Sequence, residues 1–254
     1  MTIAESADVI GDCFAQPAGT RVGPGKGLPA LTVSATPVIR SVSPDVMAGD
    51  GSARFDIEVD GAASCVLSAG SMSKPTVATA DGFAAVISQG EIGAGANAFV
   101  IALCSSADSP PLTAQDDGIN THDGDLTTSM DLDNNGSVAV VLGDVASSEF
   151  AVLTNDVYTH VSGSIGVRCL GDVEPAAVDL GTLLQVGGDV ESEDCDASGM
   201  FISMPELREV HGALTVAGNA GLDSLHADQL ATVGGDVTIG GLLVADENPL
   251  LASV

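Results

Sequence analysis

The chain has no tryptophan, a single tyrosine (Tyr158) and only 3% aromatic residues among its 254. A core built around large rings is excluded, so the interior has to be filled by aliphatic and small side chains. Basic residues are almost as scarce. Seven Lys and Arg stand against 35 Asp and Glu, a formal net charge of -28. Nucleic acid and anionic membrane surfaces both attract Lys and Arg, so neither is an expected partner. No run of 18 or more apolar residues occurs, which argues against a transmembrane helix and membrane insertion. Met1 to Thr20 lacks the basic start and apolar centre of a signal peptide. The five cysteines (Cys13, Cys65, Cys104, Cys169 and Cys195) form no Cys-x-x-Cys pair, which disfavours zinc and thioredoxin-type sites. There is no Gly-x-Ser-x-Gly, and no ordered Ser, His and Asp set stands out.

What the chain does have is Gly (31 residues) and abundant Val, Thr, Ala and Ser within a 45% hydrophobic composition. That profile suits thin, regularly stacked β-structure. Residues 1–31 read as a tail or linker, with Gly and Pro clustered in Gly19 to Pro29. From residue 32 to 113 short β-runs alternate with turn signals. In Arg54-Phe55-Asp56-Ile57-Glu58-Val59 the apolar residues share one face. Turns such as Gly49-Asp50-Gly51, Asp60-Gly61 and Asp81-Gly82 have the spacing of a β-sandwich. The opening Pro37-Val38-Ile39-Arg40-Ser41-Val42-Ser43-Pro44 resembles the first strand of immunoglobulin-like modules of the IPT/TIG type, which are common in surface proteins. Cys65 and Cys104 fall in two candidate strands. The reading leaves a bridge between the sheets and two buried free thiols both open.

Residues 114–150 are acidic and rich in Gly and Asn, then turn apolar at Val138 to Leu142; they read as a linker or as the irregular first rung of a repeat region. Beyond them, over residues 151–254, a pattern returns. Its units are Tyr158 to Val167, Leu183 to Val190, Leu207 to Val216 and Leu230 to Ile239. The key Val (Val161, Val186, Val210, Val233) recurs at steps of 25, 24 and 23 residues. A repeat of this period signals a solenoid, since each unit is too short to bury its own apolar side. Alternation along each strand turns every second residue inward. The Gly two residues after each Val marks a bend that needs positive φ or close backbone approach. Asn219 suits an inward amide that satisfies corner backbone groups. The second unit departs from the pattern after Val190, where Glu191 to Ser198 replace the expected strand.

Leu207-x-x-Val210-x-Gly212-x-Leu214-x-Val216-x-x-Asn219-x-x-Leu222-x-x-Leu225 resembles the receptor-L-domain type of leucine-rich solenoid. The resemblance implies an extracellular fold that binds partners or builds surface architecture, without catalysis. Cys169 and Cys195 lie 26 residues apart, about one turn, and neighbouring turns sit ~4.8 Å apart, within reach of a disulfide. A bridge between adjacent turns is expected in an oxidising compartment.

One metal site suggests itself. Asp131-Leu-Asp133-Asn-Asn135-Gly136 spells the first half of an EF-hand-like calcium loop, with oxygen ligands at Asp131, Asp133 and Asn135. Its twelfth position is Leu142, where a bidentate acid belongs; a solvated acidic loop is the alternative. His160 and His211 flank repeat Val positions and should share a solenoid face two turns apart. Surface histidines explain them better than a zinc site does. Parallel β-helix enzymes acting on polysaccharides share the architecture, but only Arg168 and Arg208 supply cations in the repeat region, and a turn explains Asp189 and Asp236. An ice-binding solenoid needs a tall Thr ladder, and Thr215 with Thr238 gives two turns only. Together these readings predict an all-β chain: an immunoglobulin-like β-sandwich followed by a short right-handed parallel β-solenoid, L-domain-like. The expected role is a non-enzymatic secreted or cell-surface protein for adhesion, recognition or scaffolding. No cofactor is required, calcium apart. The expected partner is a protein, a glycan or a second copy joined at an uncapped solenoid end, where Asn248-Pro249-Leu250-Leu251 restarts the repeat.

Overall fold

The computed structural model describes residues 35–49, 51–128, 138–147, 152–154, 158–168, 177–193, 200–219 and 222–240. Among them every regular element is a strand, and from Thr36 onward the described residues belong to one compact unit. The all-β expectation rests on the composition and holds.

Two antiparallel sheets open the unit. The first orders β1 (Val38–Val46), β2 (Ser52–Asp60), β6 (Gly82–Ser88) and β5 (Val77–Ala78) side by side. The second runs β4 (Met72–Pro75), β3 (Ser64–Ala69), β7 (Ala96–Ser105), with β8 (Thr113–Gln115) also on β7. Their facing sides alternate as the pleat demands: Phe55 and Ile57 on β2, Leu67 on β3, Ile87 on β6, Val100 and Ala102 on β7 form one buried core. Cys65 and Cys104 are joined by a disulfide. They do not link the two sheets, as the spacing allowed. They stand directly opposite each other on adjacent strands β3 and β7 of one sheet. Opposed residues of an antiparallel pair bring their side chains within disulfide reach, and both cysteines point into the core.

The solenoid begins earlier than the repeat first suggests. β9 (Ile119–Asp123) and β10 (Leu126–Thr128) make one turn; β11 (Val140–Leu142), β12 (Val145–Ser147) and β13 (Val152–Thr154) make the next. Three more turns have the same three strands: β14 (His160–Val161), β15 (Ile165–Arg168), β16 (Ala177–Asp179); β17 (Gln185–Val186), β18 (Val190–Glu193), β19 (Met200–Ser203); β20 (Glu209–Val210), β21 (Leu214–Ala217), β22 (Leu222–His226). β23 (Thr232–Val233) and β24 (Val237–Ile239) close the described part. All pairings along the first ladder are parallel and in register. Val161, Val186, Val210 and Val233 stack in one column, continued by Val141. Ile165, Val190, Leu214 and Val237 make a second, and Val178, Ile202 and Leu225 a third. Successive turns add one aliphatic side chain at a time to each of these columns, so the described interior is continuous along the axis.

One expectation fails at the second unit. Glu191 to Glu193 keep the strand, paired with β15 on one side and β21 on the other. Parallel pairing uses backbone groups, so polar side chains do not forbid it. Ser192 does point inward and is buried, and Asn219 compensates. The Asn219 amide donates to the Ser192 carbonyl at 3.0 Å from a fully buried position, the corner role predicted for it.

Candidate functional site

The two regions meet through one sheet. β7 pairs antiparallel with β9, so the second N-terminal sheet runs on without a break into the first solenoid ladder β9-β11-β14-β17-β20-β23. That ladder has two buried faces. Val141 points into the solenoid, while its neighbours Val140 and Leu142 belong to the N-terminal core. Along the outer face, the column Thr121, Val140, His160, Gln185, Glu209, Thr232 passes from buried to exposed. The N-terminal layer covers Thr121, Val140 and His160, and its cover fades over Gln185 and Glu209 to the exposed Thr232.

Specific bonds hold this junction. Asp123 is fully buried, and its carboxylate accepts hydrogen bonds from the backbone N–H groups of Gly90, Ile92 (2.8 Å) and Gly93 (2.7 Å). A single side chain of the first turn thus satisfies the loop between β6 and β7. Gln185 bridges to β1, accepting from Val46 N–H at 3.3 Å and donating to Asp45 at 3.2 Å. Gly49 N–H donates to the Gly187 carbonyl at 2.9 Å. A Cβ on Gly187 would lie 2.7 Å from the Met47 carbonyl oxygen, so this glycine admits the β1–β2 turn.

The repeat glycines serve a different purpose. Gly163, Gly188, Gly212 and Gly235 each donate N–H to the glycine carbonyl one turn back, at 2.8–2.9 Å. A Cβ on Gly212 would sit 2.6 Å from the Gly188 carbonyl oxygen. Close approach, not positive φ, is what this position demands in the later turns. The residue after each glycine forms a polar ladder. Asp125 accepts from Asp144 N–H (3.0 Å), Asp144 from Ser164 N–H (2.7 Å), the Ser164 hydroxyl from Asp189 N–H (3.0 Å), and Asp189 from Ala213 N–H (2.7 Å). Beside it, under the β1–β2 turn, lies a polar cleft of about 360 Å³ lined by Gly49, Gln89, Asp125, Asp144, Ser162 and Ser164 among others. The signal was in the sequence: His122-x-Gly124-Asp125-Leu126 and Val141-x-Gly143-Asp144-Val145 spell the same motif as Val186-x-Gly188-Asp189-Val190. Turn lengths of 19 and 20 residues, against 23 to 25 later, hid the first copies.

The surface position expected for His160 and His211 does not hold, because β1 packs over the ladder at His160 and His211 is half-buried. His160 is buried beneath β1, its Nδ1 2.8 Å from the Thr159 hydroxyl. Burial lowers its pKa from 6.5 to about 4, with Asp45 pulling weakly the other way. His122 is also depressed by burial; its Nδ1 lies 2.6 Å from Asn97 Oδ1. His160 and His211 both sit on the first ladder, flanking the Val column. Among the described residues no three His, Cys, Asp or Glu groups converge as metal ligands. Asp131, Asp133 and Asn135 lie outside the described residues, as do Cys13, Cys169 and Cys195. Thr215 and Thr238 do stack, but Glu191 precedes them in the same column. On the outer face of β7, Phe99 and Leu103 are exposed, with Val66 opposite Leu103.

No family model, curated protein or solved structure matches this chain. Its function has to be argued from its own chemistry.

Proposed function

We propose that this is a non-enzymatic secreted or cell-surface protein for adhesion, recognition or extracellular scaffolding. In this reading the N-terminal sheets form an immunoglobulin-like module. The remainder is a right-handed solenoid of the receptor-L-domain type. The observation that carries the proposal is the buried Cys65–Cys104 disulfide, because such bonds persist in oxidising compartments and are rare in reducing ones. Three further features agree with it. The acidic surface favours solubility outside the cell; the shared sheet makes a stiff platform; and Phe99 with Leu103 offers apolar area to a protein or glycan partner.

The test is fractionation of the native protein after trapping free thiols with an alkylating reagent. A surface or secreted fraction with Cys65 and Cys104 unmodified is the expected result. Recovery only from the cytosol with both thiols alkylated ends the reading. Binding of the purified chain to cells, reduced by Phe99→Ser with Leu103→Ser, would place the contact on β7.

A further inference from the structure

We propose that the outer face of β7 is the contact through which two copies of this chain pair, sheet against sheet. The inference deepens the recognition reading above by naming the partner of that face. The side chains that alternate away from the N-terminal core are Asn97, Phe99, Ile101, Leu103 and Ser105 on β7. On the strands beside it, β3, β4 and β8, they are Ser, Val, Pro, Thr and Gln. None of them carries a charge, in a chain with 35 Asp and Glu. Asp116, next after β8, is tied into the plane of the sheet, accepting from Ala102 N–H at 2.7 Å. The other N-terminal sheet is the opposite case, since the outer face of β2 presents Arg54, Asp56 and Glu58. The uncharged face also has a continuation. Asn97 stands opposite His122, and His122 is in register with Val141, so this is the face that lines the solenoid interior. Inside the solenoid it is buried under aliphatic side chains; on β7 it is open, with Phe99 53% and Leu103 39% exposed.

Charge identifies the partner. A basic partner is drawn to faces that bear carboxylates, and a face cleared of them is the poorest place to hold one. A strongly acidic partner needs such a face, because like charges set against each other oppose association. A second copy is an acidic partner that brings an equally uncharged face of its own, and a two-fold axis sets the two together. Depletion of charge around an aromatic side chain is also the composition of an interface core. The aliphatic members offer nothing to a sugar hydroxyl, so a protein surface fits better than a glycan. Size agrees with pairing. β7 has 10 residues, about 33 Å of strand. With shorter neighbours ~4.8 Å apart, the face offers roughly 500 Å² per copy and roughly 1,000 Å² in all. That is the lower edge of a specific interface, so the dimer is weak, with a dissociation constant on the order of 10⁻⁵ M.

Sedimentation equilibrium of the full chain, over roughly 1 to 300 μM, tests it. The expected result is a reversible monomer–dimer equilibrium that tightens several-fold between about 0.05 and 0.5 M NaCl. Salt screens the repulsion between two copies of net charge -28, while the contact itself holds no ions to screen. Phe99→Glu should weaken the dimer about tenfold or more, by setting a carboxylate against its equivalent on the second copy. The same charge introduced by Val77→Glu, on β5 of the other sheet and 74% exposed, should leave it unchanged. Circular dichroism verifies the fold of both variants, and if Phe99→Glu does not fold, the salt dependence decides. A monomer throughout, a dimer that salt weakens, or one that Phe99→Glu leaves intact overturns the proposal. So does a chain that dimerises only once residues 1–34 are removed, since that segment is then the occupant. A chain that stays monomeric yet loses cell binding on Phe99→Ser with Leu103→Ser overturns the pairing and keeps the recognition reading. A dimer recovered only from the cytosol, with both thiols alkylated, keeps the pairing and ends the extracellular reading.

Discussion

In the N-terminal region, Phe55, Ile57, Leu67 and Ile87 come from three strands and meet in one closed core, pinned by the Cys65–Cys104 bond. In the solenoid a buried side chain meets its own counterpart one turn away, Val on Val and aliphatic on aliphatic. The first arrangement concentrates its stability in a few large side chains. The second spreads it over equivalent small ones and is limited by how closely the backbones approach. The shared sheet β7-β9 joins the two, and the N-terminal layer covers the start of the solenoid's first ladder.

Substitutions that respect or violate this difference should sort accordingly. The largest loss is expected at the stacking glycines. Gly212→Val drives a side chain into the Gly188 carbonyl and should cost roughly 4 kcal/mol or prevent folding, whereas Gly166→Ala, which meets nothing within 4 Å, should be near neutral. Chemical denaturation of the two variants checks the pair; equal losses would break the idea that spacing between turns is the solenoid's limiting feature. Next comes the closed core. Phe55→Ala should cost about 4 kcal/mol against about 2 for Val210→Ala, because a ring leaves the larger cavity. Scanning calorimetry of both also shows whether the regions melt together, as one continuous sheet predicts, or in two transitions.

Acid provides a test at the interface itself. His160 titrates at about 4 when folded and near 6.5 when unfolded, so the unfolded chain takes up the proton first. Its contribution is present above pH 6.5 and lost as pH falls through about 4, a change of about 3 kcal/mol at most. His160→Gln should flatten the stability profile between pH 6.5 and 4; an unaltered slope would show that β1 does not bury this ring. The smallest effect is a gain. The polar ladder lapses at Ala213, which has no side-chain oxygen to offer the next turn. Ala213→Ser should add about 0.5–1 kcal/mol, read as a small rise in melting temperature.

Legibility differed between the regions for the same reason. Four solenoid turns could be read because the Val column, the Gly two residues on and the aliphatic residue after it recur at nearly constant spacing. The two earliest turns share that motif, but the first carries His122 in place of the Val and both are three to six residues shorter. In the N-terminal part, alternation marked β2 and its inward face. It did not show which strands are neighbours, so Cys65 and Cys104 could be placed on strands but not opposite each other. The cleft was illegible, since it needs Gly49 and Gln89 brought against Asp125 and Ser162.

The amino-acid sequence by itself determined the β class, the period of the stack and which residue of each repeat faces inward. Those come from local alternation and from side chains too small to fill anything but a narrow interior. Only the tertiary structure decided that the antiparallel region and the solenoid share a sheet, that the glycines of the later turns answer to backbone contact rather than to φ, and that Asp125 and Asp144 of successive turns are stacked by the polar ladder. Each of these depends on the approach of segments distant in the chain, and no local pattern encodes a distance between them.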